Sequence, residues 1–550
     1  MDRLNEENVI CGEEVEMSID SSLGELELLL LRAHGDKVVQ VDVETGEKLT
    51  ASLALNRAVA LAKWLIQNGV KPGDAISINS ENRLEFVIVP LATFLVGAVF
   101  APLNPEYTTG ELNHVLNLSK PKIVFCSNLT VKNMLAVIKD QSNIQKLVLF
   151  GSKVSANSNI TMYRDIIKEV KEDQPADEEF EAVLIDPKEA VATILCSSGT
   201  TGLPKGVMTT HSNMTAFIEI ARIRIQEMLE SESNSSGTVT FGLTPFFHSM
   251  GFMSMYMNFI AGNLVVVMRK FKTKLFLEGI AKYKVTTLVV PPPIILILNK
   301  HPLVKNYDLS SLRDVRAGAA PMGKEMEKEV KDRLKLQHIS QNYGMTETTL
   351  GVLMTRYNEC KFGSVGQIVP TMKVKIVDED GRALGPNQEG ELCFKGPMIM
   401  KGYVGDPVST ANTIDKDGWL HTGDIGYYDN DKYFFIVDRI KELIKYKAFQ
   451  VAPAELEALL LQHPSVTDSA VVGLPDEEAG ELPLAFIVKK SGVKVSEKEL
   501  LDYVAGNVSR QKRLTGGVIF IEEIPRNPSG KILRRVLKER AKVMKSKAKL

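Results

Sequence analysis

Cysteine is scarce in this sequence and poorly placed for crosslinking. The five, Cys11, Cys126, Cys196, Cys360 and Cys393, are odd in number, far apart and in no CxxC pair, which argues against a disulfide framework and a zinc site and favours a reducing compartment. An excess of one charge is lacking too. The 66 basic and 68 acidic residues leave a formal −2, so no chain-wide field recruits nucleic acid or an anionic membrane, and specificity must come from a site. The N-terminal MDRLNEENVICGEEVEMS is acidic and has no apolar stretch, so no secretory signal is expected. Only one uncharged run, FVIVPLATFLVGAVFAPL at residues 86–103, approaches the length of a membrane span. Pro90 and Gly97 interrupt it, and it reads as a buried core helix turning into a strand, so no transmembrane segment is expected.

What is present is the composition of an ordinary globular chain. With 44% hydrophobic and 24% charged residues over 550 positions, disorder and collagen-like repeats are excluded, and the length allows about three or four folding units. Residues 50–150 alternate helical stretches, such as 53–68, with short β-rich runs, such as 75–78 and 122–125, the pattern of a parallel, doubly wound sheet. The same alternation around 239–315 predicts a second α/β layer. From about 362 to 438 short strands with Gly, Pro and Asp turns predict a β-rich subdomain. A smaller α+β block follows, with helices near 453–461 and 497–508 and strands near 468–472 and 485–489. The fold class is therefore α/β, with a large N-terminal domain at 1–438, a small C-terminal domain at 439–550 and a hinge near 438–442. Residues 231–237, SESNSSG, read as a mobile loop.

The most informative stretch is Ser197-Ser198-Gly199-Thr200-Thr201-Gly202-Leu203-Pro204-Lys205-Gly206, set between β-like runs. Glycines let backbone N–H groups approach a phosphate, hydroxyls donate to its oxygens, and Lys205 supplies a point charge. The GxxxxGK[ST] order of a Walker A loop is absent. Further motifs follow in order: Tyr343-Gly344-Met345-Thr346-Glu347, Gly390-Glu391-Leu392, Asp417-Gly418-Trp419-Leu420-His421-Thr422-Gly423-Asp424, Asp438-Arg439 and Pro528-Ser529-Gly530-Lys531. Together they resemble the signatures of the adenylate-forming superfamily of acyl-CoA synthetases, aryl-CoA ligases, beetle luciferases and peptide-synthetase adenylation domains, over roughly residues 50–550.

The resemblance implies an enzyme that uses ATP and Mg²⁺ to turn a carboxylate into acyl-AMP and then passes the acyl group to CoA, with the small domain as a mobile lid. It assigns Thr346 to the α-phosphate, Glu347 to Mg²⁺ and Asp424 to the ribose hydroxyls. Lys531 falls between the substrate carboxylate and the α-phosphate, where preorganised charge is most useful. Arg439 and Lys445 flank the hinge and face the site in alternate lid orientations. Further nucleotide contacts are implied at Gly318, Ala319, Ala320, Asn342, Tyr343 and Gly344. Asn342 stands where a Gly is common, and Ala448 where the family usually has Gly in a loop lining the pantetheine channel.

Within the superfamily, Thr244-Pro245-Phe246-Phe247-His248-Ser249-Met250-Gly251, Val289-Val290-Pro291-Pro292-Pro293 and the run Tyr446-Lys447-Ala448-Phe449-Gln450-Val451 resemble the insect luciferase-like branch and the plant 4-coumarate ligases. Luciferases carry His-His-Gly-Phe where this chain has Phe247-His248-Ser249-Met250, an Arg in place of Phe217 and a Ser in place of Leu350. Each change makes the implied acyl pocket, lined by Phe217, His248, Met250, Ser254, Gly318, Ala319 and Leu350, more apolar or bulkier. A medium- or long-chain fatty acid is the expected substrate, ahead of an aromatic acid such as a cinnamate and of light-emitting oxidation of luciferyl-AMP. The C-terminal Ala548-Lys549-Leu550 resembles a peroxisomal import address, with the import receptor as the implied partner and a cytoplasmic location otherwise. It ends a tail, 531–550, carrying nine basic residues and one acid.

Overall fold

The computed structural model describes residues 8–152, 160–197, 203–231, 237–357, 359, 361–447, 449–476 and 478–548. Ser198, Gly199, Thr200, Thr201 and Gly202 of the glycine-rich loop lie outside the described residues. So do Ala448, Cys360, Lys549, Leu550 and residues 232–236 of the Ser-rich patch.

Two large sheets form the body of the chain. One has eight strands in the order Gly402–Tyr403, Lys205–Thr210, Val191–Ser197, Val99–Phe100, Ala75–Asn79, Ile123–Cys126, Lys146–Leu149 and Ile160–Met162. It is parallel from Val191–Ser197 onward and antiparallel at the Lys205–Thr210 edge. The other has seven, in the order His338–Gln341, Asp314–Ala317, Thr287–Val290, Val239–Gly242, Leu264–Val267, Val38–Asp42 and Lys48–Thr50, all parallel save the last pair. Strands such as Ile123–Cys126 and Leu264–Val267 are almost wholly buried apolar runs, as parallel strands covered on both faces require. The mixed α/β architecture expected from the alternating pattern is present.

The apolar run at 86–103 is a core element. Helix Ile88–Leu95 and strand Val99–Phe100 are buried throughout, and among the described residues no helix is long and apolar enough to cross a membrane. Phe86 packs edge-on against Phe246 with ring centroids 5.5 Å apart, and Phe94 against Tyr256 at 5.6 Å. Phe246 and Tyr256 bracket the start and middle of helix Ser249–Ile260. This aromatic cluster packs against the helix that follows His248, each pair adding about 0.5–1.5 kcal/mol beyond its buried area.

The β-rich stretch is distributed over three sheets. Strands Lys373–Val377, Gly390–Lys395, Leu420–Tyr428 and Phe434–Arg439 form an antiparallel sheet that Ile10–Cys11 completes at its edge. Gln367–Ile368 pairs instead with Leu350–Met354, and Gly402–Tyr403 joins the eight-stranded sheet. Regular local β-texture does not disclose these partners, because pairing is set by contacts far along the chain. After Arg439 the last sheet is built from Ile444–Tyr446, Phe449–Val451, Val466–Asp476, Gly480–Lys489 and Gly517–Phe520. Helices Pro453–Gln462 and Glu497–Asn507 pack on its own hydrophobic cluster.

Helix His211–Ser231, which follows strand Lys205–Thr210, is tied to the N-terminal helix Leu23–His34 at its first residue. Leu23 N–H donates to His211 Nδ1 at 3.1 Å, and burial pushes the imidazole down to about 4. The folded chain therefore binds fewer protons here than the unfolded chain, whose His titrates near 6.5. This contribution is complete above pH 6.5 and is lost as the pH falls towards 4. Melting curves across that window will show a steeper acid loss for the native chain than for His211→Asn, and parallel losses would contradict the assignment.

Candidate active site

The site lies where strands of the seven-stranded sheet end. Val290 leads into Pro291, Ala317 into Gly318-Ala319-Ala320, and Gln341 into Asn342-Tyr343, the carboxyl edge at which open parallel sheets bind ligands. Gly318 N–H donates to Val290 O at 3.3 Å and Asn342 N–H to Ala317 O at 2.8 Å, so the loops are laced to one another. Gly344 runs so close to the chain ahead of it that a Cβ there would lie 1.7 Å from Leu350 O. Beyond it, Met345 N–H donates to Thr348 Oγ1 at 3.0 Å and closes the short turn Thr346–Thr348.

That turn presents Thr346 and Glu347, both buried. Thr346 Oγ1 lies 3.2 Å from Ser249 Oγ, beside His248. Tyr403 O–H donates to Glu347 Oε1 at 3.0 Å, and Lys205 Nζ stands 4.8 Å from the centre of the Tyr403 ring while donating to Ser409 Oγ at 2.7 Å. Lys205 and Ser197 are direct cross-strand partners, so the two ends of the glycine-rich loop are pinned side by side.

A second group centres on Asp424, which is 5% exposed. Tyr343 O–H donates to its Oδ2 at 2.6 Å, and Arg439 Nε forms an ion pair with its Oδ1 at 3.0 Å. That ion pair lacks the alignment of a hydrogen bond, and Asp424 Oδ1 is among the buried oxygens that accept none, as is Asn342 Oδ1. Burial raises the Asp424 carboxyl above its usual range, against the pull of Arg439. Two buried oxygens awaiting donors suit the hydroxyl and amino groups of a nucleoside.

Lys531 reaches the same place from the other end of the chain. Its turn is closed by Asn527, whose Oδ1 accepts Lys531 N–H at 2.9 Å and whose N–H donates to Lys531 O at 2.9 Å. Arg526 donates to Gly530 O at 3.0 Å while paired with Asp468. Gly530, at φ +87°, rests on the Pro291 ring, where a Cβ would come within 3.0 Å; only glycine combines that backbone angle with that approach. Burial lowers the Lys531 ammonium's pKa, with Arg439 adding to the effect, while Asp424, Glu347 and Glu442 favour its charge. Burial and then Lys531 push His248 down to about 4, leaving its imidazole neutral at pH 7.

The expected acyl-pocket residues are partly gathered. Phe217 and Met250 are both buried, Phe217 in a hydrophobic cluster with Leu350 packed at its margin, and a Cβ at Gly318 would meet Met250 Sδ at 3.4 Å. Leu350 and Ala319 hold φ of +99° and +71°, which is strained backbone for side-chain-bearing residues. Ser254 is partly buried on the same helix as Met250, its carbonyl accepting from Asn258 at 2.8 Å. Lys445 is not brought in: it is exposed on Ile444–Tyr446, its N–H donating to Glu481 at 2.9 Å. Sequence reasoning gave no role to Ser249, although it lies in the quoted Thr244–Gly251 motif, and missed Tyr403, Ser409 and Glu442, which lie outside the motifs and far along the chain from their partners.

Three comparisons bear on this arrangement. Residues 31–404 match a family model described as AMP-binding enzyme, and residues 455–531 one described as AMP-binding enzyme C-terminal domain. The chain is 41% identical to a luciferin 4-monooxygenase of Nipponoluciola cruciata, covering 97% of each, and 40% identical to 4-coumarate–CoA ligase CCL1 of Humulus lupulus, covering 93% of this chain and 92% of that one. The solved structure of ATP-bound MatB from Rhodopseudomonas palustris superposes with a TM-score of 0.82 at 26% identity, covering 94% of this chain and 98% of that one.

Replacing Tyr343 by Phe removes the donor to Asp424 Oδ2 and leaves a buried carboxylate poorer by one hydrogen bond. Denaturant unfolding of Tyr343→Phe is expected to show a loss of about 1–3 kcal/mol; an unchanged midpoint would show that the pair adds nothing to the folded state.

Proposed function

We propose that this chain, which belongs to the AMP-binding enzyme family, uses ATP to activate a carboxylic acid and hands the acyl group to CoA, the acid being a medium- or long-chain fatty acid. In the first step a carboxylate oxygen attacks the α-phosphorus of ATP and pyrophosphate leaves with the electron pair of the broken P–O bond. In the second, the CoA sulfur attacks the acyl carbonyl, its proton is lost, and AMP leaves.

The observation that carries the reading is the convergence of Lys531 with Asp424, Glu347 and neutral His248. In the proposed step Asp424 accepts from the ribose hydroxyls, and the loop between Ser197 and Lys205 cradles the phosphates. Lys531 balances the negative charge that grows between carboxylate and phosphorus, in a site where burial strengthens that interaction. Glu347 would hold Mg²⁺, a hard cation suited to a carboxylate, which neutralises phosphate charge when bound. A neutral His248 can wall the reacting carboxylate without competing with the ammonium for it. Exposed Lys445 suits a second orientation of the small domain for the CoA step.

The fatty-acid assignment is supported by buried Phe217 and Met250, the former in an apolar cluster with Leu350 at its edge. Apolar, flexible bulk of this kind matches an alkyl tail. The experiment is to follow pyrophosphate, AMP and thioester with ATP, Mg²⁺ and a panel of fatty acids, cinnamates and luciferin, with and without CoA. Acid-dependent pyrophosphate and CoA-dependent fatty acyl thioester are expected. Turnover of cinnamates alone, or light from luciferin without thioester, would overturn the substrate assignment, and no pyrophosphate with any acid would overturn the reaction.

A further inference from the structure

The proposed reaction leaves the Gly390-Glu391-Leu392 motif and His421 without a task, although both lie beside Asp424. Strand Gly390–Lys395 pairs with Leu420–Tyr428 at Glu391↔Ile425 and again at Cys393↔His421. Between these two pairs one strand contributes Leu392 alone, while the other contributes Thr422, Gly423 and Asp424. This is a bulge, and bulges beside active sites re-aim a side chain. On its far side Asp424 is the direct cross-strand neighbour of Arg439.

A bulge leaves backbone groups without ladder partners, and these must be satisfied if the loop is to hold one shape. Glu391 does much of this. Its Oε1 accepts Gly423 N–H at 2.8 Å, and its Oε2 lies 2.8 Å from His421 Nδ1. Thr422 completes the set: its Oγ1 donates to Leu392 O at 2.8 Å and accepts Asp424 N–H at 3.0 Å. His421 is held in turn by Cys393 Sγ, 3.4 Å from Nδ1, and by Asp415 Oδ2, 3.6 Å from Nε2. Asp415 also accepts from Asp417 and Trp419 N–H groups at 2.9 Å, which fixes the turn that leads into the strand.

We infer that Glu391 and His421 are positioning residues for the nucleotide: paired across two strands, they brace the Thr422–Gly423 bulge so that Asp424, held on its other side by Tyr343 and Arg439, faces the ligand. The inference rests on the proposed role of Asp424. Contacts from Cys393 and then Glu391 push His421 up to about 10, so the ring is charged at neutral pH and the brace is a charge-assisted pair, stronger than a neutral one. The brace touches no substrate. Its loss is felt through the placement of Asp424, and so in ATP recognition rather than in acid recognition.

The test compares Glu391→Ala, Glu391→Gln, Thr422→Val and Asp424→Ala in the full chain, measuring KM for ATP, KM for the acid, kcat and melting temperature. Glu391→Ala is expected to raise KM for ATP by about tenfold or more while KM for the acid stays within about twofold. Glu391→Gln keeps an oxygen that can accept Gly423 N–H but sets an amide NH₂ against the charged His421 ring, and should recover only part of that loss. Thr422→Val, which keeps the shape of the side chain, should show the same selective rise if Glu391→Ala does not fold. An ATP KM within about twofold of native in both Glu391→Ala and Thr422→Val would overturn the inference, as would equal rises in both KM values that track the fall in melting temperature. Undiminished ATP binding in Asp424→Ala would instead overturn the nucleotide reading on which the inference stands.

Discussion

Everything in the site depends on lodging one ammonium, Lys531, in a partly buried acidic pocket nearly three hundred residues of sequence away from His248 in its wall. A cation loses hydration on entering such a place and is tolerated only where carboxylates face it. Asp424, Glu347 and Glu442 supply that balance, and Arg439 limits it. The pocket is therefore poised around a charge that the loop 527–531 brings in, and the rest of the small domain serves to aim it.

That aiming is mechanical as much as electrostatic. Arg534, three residues after the lysine, binds Glu442 at 2.9 Å, Glu457, and Val471 O at 2.8 Å. It so joins the start of helix Arg534–Ala548 to the segment after Arg439, to helix Pro453–Gln462 and to the sheet. Asp438, pushed up to about 6 by burial, accepts the N–H groups of Arg439 at 2.7 Å and Ala454 at 3.1 Å. Beyond the hinge contacts of Asp438 and Arg439, the small domain touches the large one through Gly530 on Pro291 and through Lys300, which donates to Leu461 O at 3.3 Å. The proposed two-step reaction, which needs different groups at one place, calls for this docking to be reversible.

Much of this was legible in the sequence, for identifiable reasons. The parallel strands announced themselves as short Val- and Ile-rich runs between helices, and residues 86–103 disclosed through Pro90 and Gly97 that they are core. Asp424, Thr346, Glu347 and Lys531 could be named because each sits in a motif. Illegible were the residues that hold them. Ser249, Tyr403, Ser409 and Arg534 act through long-range contacts that no local period encodes, and the bulge at Thr422–Asp424 exists only relative to the strand beside it. The β-rich stretch showed the same limit, since its short strands looked alike yet were divided among three sheets. Lys445, expected to face the site in an alternate orientation of the small domain, is exposed in this one.

The account stands or falls on Lys531. Rapid-quench measurement of acyl-adenylate formation, together with ATP affinity, in Lys531→Ala tests it most directly. The predicted result is a rate of adenylate formation lower by about a hundredfold or more, equivalent to about 2.7 kcal/mol or more of transition-state stabilisation, with ATP affinity within about threefold of native. An adenylation rate within a few-fold of native would contradict the claim that this ammonium carries the chemistry.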